Sequence, residues 1–165
     1  MNSYDALAAS YDALTVDAVH RRRAAYLVRQ FGRSPIPVQT VLDLACGTGT
    51  IACLLANQGY RVIAVDGSEE MLTQAACKAE PLGERAPLFL HQAMPRLRLG
   101  TAVDAAVSTL DSLNYLTRTR DLQETLNRVC RWLKPGGTFW FDVNTPAKFR
   151  RMDGQVYLDE TEDSY

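Results

Sequence analysis

The sequence lacks the features that mark membrane, secreted and metal-binding proteins. It has no apolar run of the roughly 20 residues that cross a membrane, and residues 1–5 show neither the cationic nor the apolar region of a signal peptide. Its four cysteines, at positions 46, 53, 77 and 130, form no Cys-x-x-Cys pair and no cluster with a histidine. With 18 Lys and Arg against 19 Asp and Glu, it has no charge excess that would attract nucleic acid. We therefore expect a cytoplasmic protein without metal, nucleic-acid partner or membrane, whose partner is a small molecule.

The chain is long enough for one hydrophobic core and too short for two ordinary domains, since it has 165 residues of which 47% are hydrophobic. Within this single domain we predict an N-terminal helical arm over residues 1–36, a core over residues 37–145 and an incomplete segment over residues 146–165. The arm carries the sequence YDAL twice, beginning at Tyr4 and at Tyr11, and has helical periodicity over residues 17–31.

Strands and helices alternate along the core. Apolar and β-branched runs predict strands over residues 40–44, 61–65, 87–90, 102–109 and 138–143, and helical periodicity predicts helices over residues 50–58, 68–79 and 121–133. This alternation indicates βαβ units. The predicted fold class is therefore α/β, a Rossmann-like doubly wound and mostly parallel sheet of about five strands with an N-terminal helical arm. Such sheets bind ligands beyond the C-terminal ends of their strands.

A glycine-rich loop follows the first predicted strand. Residues 47–52 (GTGTIA) fit the dinucleotide fingerprint, and Asp66 follows 19 residues after Gly47, where an acid is expected to meet ribose hydroxyls. These features alone fit NAD. Asp43 at the strand end favours another cofactor, because its carboxylate would repel a diphosphate on the helix N-terminus and attract an ammonium group. S-adenosylmethionine has that ammonium group and carries no phosphate.

The same segments resemble a known family. Residues 41–49 (VLDLACGTG) resemble motif I of the class I S-adenosylmethionine-dependent methyltransferases, and residues 64–72 (AVDGSEEML) resemble the segment after their second strand. Residues 110–116 (LDSLNYL), 133–137 (LKPGG) and 141–145 (FDVNT) resemble later segments of a small-molecule subgroup whose N-terminal arm also carries Tyr-Asp pairs. The resemblance covers nearly the whole chain. It implies a methyltransferase enzyme with S-adenosylmethionine as cofactor and a small-molecule acceptor.

The resemblance also implies roles for single residues. Asp43 and its neighbours would surround the methionine part of the cofactor, Asp66 would accept both ribose hydroxyls, and Met71 would pack on the adenine. Two positions depart from the family pattern. Ala45 stands where glycine is usual, which is a mild change if its φ is negative, and Ala93 stands where an aspartate often accepts the adenine amino group, a role that Gln92 or a backbone carbonyl could take. The expected cofactor-binding residues are Asp43, Ala45, Cys46, Gly47, Thr48, Gly49, Asp66, Gly67, Met71, Gln92, Ala93, Met94 and Leu110.

The acceptor is expected to meet residues that follow the fourth strand. Methyl transfer from a sulfonium requires alignment above all, and it requires a general base only if the acceptor holds its proton near neutral pH. The expected catalytic residues are Asp111, Asn114 and Tyr115, with Tyr11 of the arm closing over the site. His20 is a further candidate base, but a solvated helix face is the favoured interpretation for it.

Three functions remain open on these residues: a methyltransferase acting on a small molecule, a cofactor-binding or scaffolding module without turnover, and a nicotinamide-dependent oxidoreductase. The fifth strand is apolar on both faces, and an open edge of that kind invites pairing with another chain. We expect that the chain either is a C-terminal truncation or completes its sheet as a homodimer, through the fifth-strand edge or the C-terminal segment.

Overall fold

The computed structural model describes residues 17–152, and the tyrosine repeat at Tyr4 and Tyr11 lies outside them. The strands are β1 (Thr40–Leu44), β2 (Arg61–Asp66), β3 (Leu88–His91), β4 (Val103–Ser108) and β5 (Leu133–Phe141). The α-helices are α1 (Asp17–Phe31), α2 (Thr50–Asn57), α3 (Glu69–Ala79), α4 (Thr119–Trp132) and α5 (Pro146–Met152). Short 3-10 turns span Glu80–Arg85, Met94–Arg96 and Ser112–Tyr115.

The five strands form one parallel sheet in the order β3-β2-β1-β4-β5. The chain builds the sheet outward from β1 to β3, then returns to the other side of β1 to add β4 and β5. This arrangement confirms the predicted α/β fold class. Strands β1 and β4 are buried at every residue because helices cover both faces of the sheet. The strand order reverses between β1 and β4, and this is the point where such sheets open a ligand crevice.

Two hydrophobic clusters hold the helices on the sheet. On one face, Ala24, Leu27 and Phe31 of α1 pack into the same cluster as Val41 of β1 and Leu55 of α2. On the other face, Val129 of α4 joins the side chains of β1, β2 and β4. Helix α1 therefore contributes directly to the core. This packing places its N-terminal end at the edge of the sheet where the crevice opens.

The start of β5 differs from the prediction. The strand was expected over residues 138–143, whereas β5 spans Leu133–Phe141. Leu133 pairs with Val103 and Thr138 pairs with Ala105, so the intervening residues form an irregular segment within the strand. Gly136 adopts a φ of 83° within this segment, a backbone conformation that glycine adopts without steric cost.

A buried aspartate anchors this irregular segment at the N-terminal edge of the sheet. Asp104 is 3% exposed, and one of its carboxylate oxygens accepts hydrogen bonds from the backbone amides of Gln39 and Thr40, at 2.9 and 2.8 Å. The other oxygen lies 2.7 Å from the Nζ of Lys134. Every oxygen of this buried carboxylate is therefore paired, and the pairing ties β5 to β1 and β4.

Candidate functional site

A cavity of about 260 Å³ opens at the C-terminal ends of β1, β2 and β4. Most of the residues expected from the sequence to bind a cofactor line it. They are Asp43, Ala45, Cys46, Gly47, Thr48, Asp66, Gly67, Met71, Ala93, Met94 and Leu110. The strand order therefore brings together four segments that are far apart in the sequence, at the location that the fold class predicts.

The glycine-rich loop takes an unusual backbone path around the cavity. Ala45, Gly47 and Gly49 have φ values of 60°, 54° and 73°. Alanine in place of glycine at position 45 was expected to be a mild change if φ is negative. Because φ is positive there, the change is not mild, and an L-residue in this region costs roughly 1 to 2 kcal/mol. Gly49 does not line the cavity. A Cβ there would lie 2.8 Å from the Cβ of Ala75, so this glycine allows α2 and α3 to approach each other.

Asp66 fixes the loop and the start of α3. Its two carboxylate oxygens accept hydrogen bonds from the backbone amides of Gly47, at 2.8 Å, and Ser68, at 2.9 Å. The Oγ of Ser68 in turn accepts a hydrogen bond from the amide of Met71, which is the N-cap arrangement expected for this helix. Each carboxylate oxygen has two lone pairs, so Asp66 retains the capacity to accept two further hydrogen bonds, as the pair of ribose hydroxyls requires.

Asp43 is a buried acid whose pairing is incomplete. It is 1% exposed, lines the cavity, and has no hydrogen-bond partner for Oδ2 among residues 17–152. Burial raises the pKa of Asp43 from 3.8 to about 7, and the charge of Asp66 adds to this, while a hydrogen bond from the Ala52 backbone amide opposes it. A buried and incompletely paired acid in a cavity wall is complementary to a cationic ligand group.

Burial and the two nearby acids also determine the protonation state of the Cys46 thiol. Burial, followed by the charges of Asp43 and Asp66, raises the pKa of its thiol well above the ordinary range. The thiol therefore remains protonated near neutral pH, and a protonated thiol is a poor nucleophile. Cys46 therefore contributes to the cavity wall as a small neutral side chain.

The acceptor-side residues differ from the prediction in their orientation. Tyr115 lines the cavity, but Asp111 and Asn114 do not. The carboxylate of Asp111 accepts a hydrogen bond from the Nδ2 of Asn144, at 2.7 Å. Asn114 exchanges two hydrogen bonds with the backbone of Asn144, at 2.9 and 3.3 Å. These two side chains therefore hold the turn after β4 against the segment after β5, and Ser112 joins Tyr115 in the cavity wall instead.

Two further residues depart from the expected positions. His20 is 4% exposed and lines the cavity, so the interpretation of a solvated helix face is wrong. It continues the buried stripe of Ala24, Leu27 and Phe31 by one turn, and the run of arginines that follows it obscured this periodicity. The side-chain amide of Gln92 is held by the backbone of Arg98, at 2.7 and 3.0 Å, and does not line the cavity. Tyr11 lies outside the described residues.

No three His, Cys, Asp or Glu side chains between residues 17 and 152 are grouped so that they could hold a metal ion. Over the same part of the chain, no helix is long and apolar enough to cross a membrane.

The parallel sheet, the glycine-rich loop after β1 and the acids at the ends of β1 and β2 define a nucleoside-cofactor-binding α/β protein. Sequence comparison then gives the family. The profile of the methyltransferase domain family matches residues 41–137, and the chain belongs to this family.

The relatives are methyltransferases of several kinds. The chain is 36% identical to the putative methyltransferase YqeM of Bacillus subtilis, over 97% of this chain and 63% of that protein. It is 31% identical to a cypemycin N-terminal methyltransferase of a Streptomyces species, over 74% of this chain and 49% of that protein. A crystal structure of an S-adenosylmethionine-dependent methyltransferase from Clostridium acetobutylicum superposes with a TM-score of 0.80 and 30% identity, covering 98% of this chain and 66% of that one. The chain thus spans less than two thirds of the length of these relatives.

Proposed function

We propose that the protein is an S-adenosylmethionine-dependent methyltransferase that transfers a methyl group to a small-molecule acceptor. The observation that carries this proposal is the buried Asp43, which lines the cavity and whose Oδ2 has no hydrogen-bond partner among residues 17–152. An α-ammonium group supplies the missing donor and positive charge. A dinucleotide would instead bring a diphosphate to the same carboxylate, and no Lys or Arg side chain between residues 17 and 152 lines the cavity to compensate for that charge.

The bound cofactor supplies an electrophilic methyl group on a sulfonium, and the residues of the chain position it. Asp43 holds the ammonium group, Asp66 the ribose, and Met71 packs on the adenine. Ser112 and Tyr115 form the wall that faces the acceptor. We assign Asp111 and Asn114 a positioning role, because their hydrogen bonds to Asn144 fix the turn that carries this wall.

We propose that His20 accepts the proton that the acceptor loses, since it is buried and lines the cavity. We also propose that Tyr11, which lies outside the described residues, covers the site. The proposed acceptor is a small molecule, since relatives of the chain include a dimethyltransferase of an amino sugar nucleotide and an O-methyltransferase of ubiquinone biosynthesis. The cytoplasmic location expected from the sequence likewise stays a prediction.

Calorimetric titration with S-adenosylhomocysteine and with NAD tests the proposed function. We expect the protein to bind S-adenosylhomocysteine in the micromolar range that small-ligand sites commonly reach, roughly −8 kcal/mol, and not to bind NAD measurably. Binding of NAD alone would overturn the proposal. Binding of S-adenosylhomocysteine without methylation of any acceptor offered would favour the alternative, a cofactor-binding module without turnover.

The affinity for S-adenosylhomocysteine is expected to depend on pH through Asp43. Because its pKa is about 7 in the ligand-free protein, a proton must leave before the ammonium group binds below that pH. We expect the affinity to fall about 10-fold between pH 8 and pH 6. Titrations at both pH values measure this, and 5′-methylthioadenosine, which lacks the ammonium group, is the control whose affinity should stay constant. An equal pH dependence for both ligands would assign the effect to another group.

We also propose that the outer edge of β5 pairs with a second copy of the chain. Among residues 17–152 the strand lies at the edge of the sheet, and Phe141, its last residue, and Val143, two residues beyond it, are 50% and 48% exposed. Pairing would cover these side chains and the backbone groups of β5 that no other strand among residues 17–152 pairs. Light scattering coupled to size exclusion measures the oligomeric state, and a monomer at concentrations of about 100 μM would contradict the pairing.

A further inference from the structure

The backbone is strained where the chain leaves β4 along the cavity wall. Two consecutive residues other than glycine, Leu110 and Asp111, have φ values of 61° and 51°. The same steric cost as at Ala45 therefore applies at both positions. Leu110 and Ser112 line the cavity, whereas Asp111 between them does not. The left-handed conformation thus presents two side chains to the cavity and turns the side chain between them away.

A single residue after β5, Asn144, holds this turn without lining the cavity. Its Nδ2 donates a hydrogen bond of 2.7 Å to the carboxylate of Asp111. Its backbone N–H and C=O pair with the side-chain amide of Asn114, at 2.9 and 3.3 Å, and the backbone amide of Asn114 donates to the C=O of Asp111 at 2.8 Å. Its Oδ1 accepts a hydrogen bond of 2.7 Å from the Nζ of Lys148. Three of the four polar groups of Asn144 therefore hold residues in or next to the strained turn.

The hydrogen bond from Asn144 to Asp111 is the strongest of these contacts, because it is charge-assisted and partly buried. Such a bond stabilises a structure by about as much as the left-handed conformation of one residue costs. The bonds between Asn144 and Asn114 are exposed to solvent. The amide of Asp111 lies 3.4 Å from the Oδ2 of Asp142, which is longer than the usual hydrogen bond. The conformation of the turn therefore depends mainly on Asn144.

We propose that Asn144 is a positioning residue for the cofactor, which acts by holding the left-handed turn and thereby keeps Leu110 in the cavity wall. This inference rests on the proposed function, in which the cavity receives the cofactor. Without the side chain of Asn144 the turn relaxes toward negative φ values. Only a minor fraction of the ligand-free protein then has the wall that binds the cofactor, and the measured affinity falls by that fraction. The controlling side chain lies 33 residues beyond Asp111 in the sequence.

Binding of S-adenosylhomocysteine, measured by calorimetric titration, tests this role. We expect Asn144→Ala to weaken binding about 10-fold, the scale of one charge-assisted hydrogen bond. Leu113, which is 5% exposed, anchors the 3-10 turn independently, so this variant should fold. Asn127→Ala is the matched control, because it removes an exposed asparagine of α4 whose Oδ1 accepts a hydrogen bond from Gln123 outside the cavity. The control should leave the affinity unchanged.

Two substitutions of Asp111 distinguish backbone strain from the loss of a hydrogen bond. Asp111→Ala and Asp111→Gly both remove the carboxylate that Asn144 holds, but glycine adopts a φ of 51° without steric cost. We expect Asp111→Ala to weaken binding of S-adenosylhomocysteine about 10-fold. Asp111→Gly should bind at least about 3-fold more tightly than Asp111→Ala, since it needs less support from Asn144. A role of Asn144 in stability alone would not produce this difference.

An unchanged affinity of Asn144→Ala would remove Asn144 from cofactor binding, and a lower melting temperature without that change would assign it to the stability of the fold. Equal affinities of the two Asp111 variants would also overturn the inference, because the conformation of the turn would then not limit binding. If Asn144→Ala does not fold, the two Asp111 variants decide the question. Failure of the wild-type protein to bind S-adenosylhomocysteine would overturn the proposed function as well, whereas wild-type binding with unaffected variants would overturn only the inference about Asn144.

Discussion

Replacing Asp43 with asparagine is expected to weaken binding of S-adenosylhomocysteine at pH 8 by at least about 100-fold, because removal of one member of a buried charge pair typically costs 3 to 5 kcal/mol. The same substitution should raise the melting temperature of the ligand-free protein at this pH. A variant that loses binding and gains stability would show that Asp43 serves ligand binding and does not stabilise the fold.

The gain in stability follows from the direction of the pKa shift. The folded protein raises the pKa of Asp43 from 3.8 to about 7, so folding favours the protonated carboxyl. Its contribution to stability is fully present below about pH 4 and is lost as the pH rises through 7. At pH 8 the carboxylate is ionised and its Oδ2 has no hydrogen-bond partner among residues 17–152. The difference between the two pKa values corresponds to about 4 kcal/mol. Asparagine has no charge to bury.

Asp104→Asn is the matched control for this experiment. Asp104 is also buried, at 3% exposed against 1% for Asp43, but its oxygens are paired with two backbone amides and Lys134. Its substitution should lower the melting temperature and leave the affinity for S-adenosylhomocysteine unchanged. Calorimetric titration and thermal denaturation at pH 8 measure both quantities. An Asp43→Asn protein that retains its affinity, or that melts below the wild type without ligand, would contradict the assignment.

Substituting Gly49 with alanine is expected to destabilise the protein by about 3 kcal/mol, far more than the same change two residues earlier. The Cβ would lie 2.8 Å from the Cβ of Ala75 and 3.2 Å from the ring of Phe89, and φ is 73°. Backbone strain and overpacking of the contact between α2 and α3 therefore act together.

The substitution Gly47→Ala distinguishes the cost of backbone strain from the cost of overpacking. Gly47 has a similar φ of 54°, but nothing lies within 4 Å of the added Cβ, so only the strain of about 1 kcal/mol is expected. Urea denaturation of both variants gives the two free energies of unfolding. Equal losses at Gly47 and Gly49 would show that strain alone is responsible and that the close approach of the helices relaxes without cost.

Much of this architecture was predictable because it is encoded locally. Three local features each specify a short segment: the apolar run before Asp43, the glycines after it, and the acid after the next apolar run. Each does so through its hydrophobic periodicity or through the backbone conformation that it permits. Alternation of such segments restricts the topology to a doubly wound sheet, whose strand ends must lie together. The positions of Asp43 and Asp66 at one cavity follow from that alone.

The orientations of individual side chains were not encoded in this way. Asp111 and Asn114 follow the expected strand, yet Asn144, about 30 residues later, turns them away from the cavity. His20 is buried because the packing of α1 on the core rotates it inward, and Lys78 reaches Thr48 across 30 residues.

The sequence by itself determined the fold class, the glycine-rich loop and the two acids at the strand ends, since each depends on neighbours within a few residues. Only the tertiary structure decided which polar side chains face the cavity and which support it. That choice depends on how helices and strands distant in sequence pack against one another, and local periodicity carries no information about those contacts.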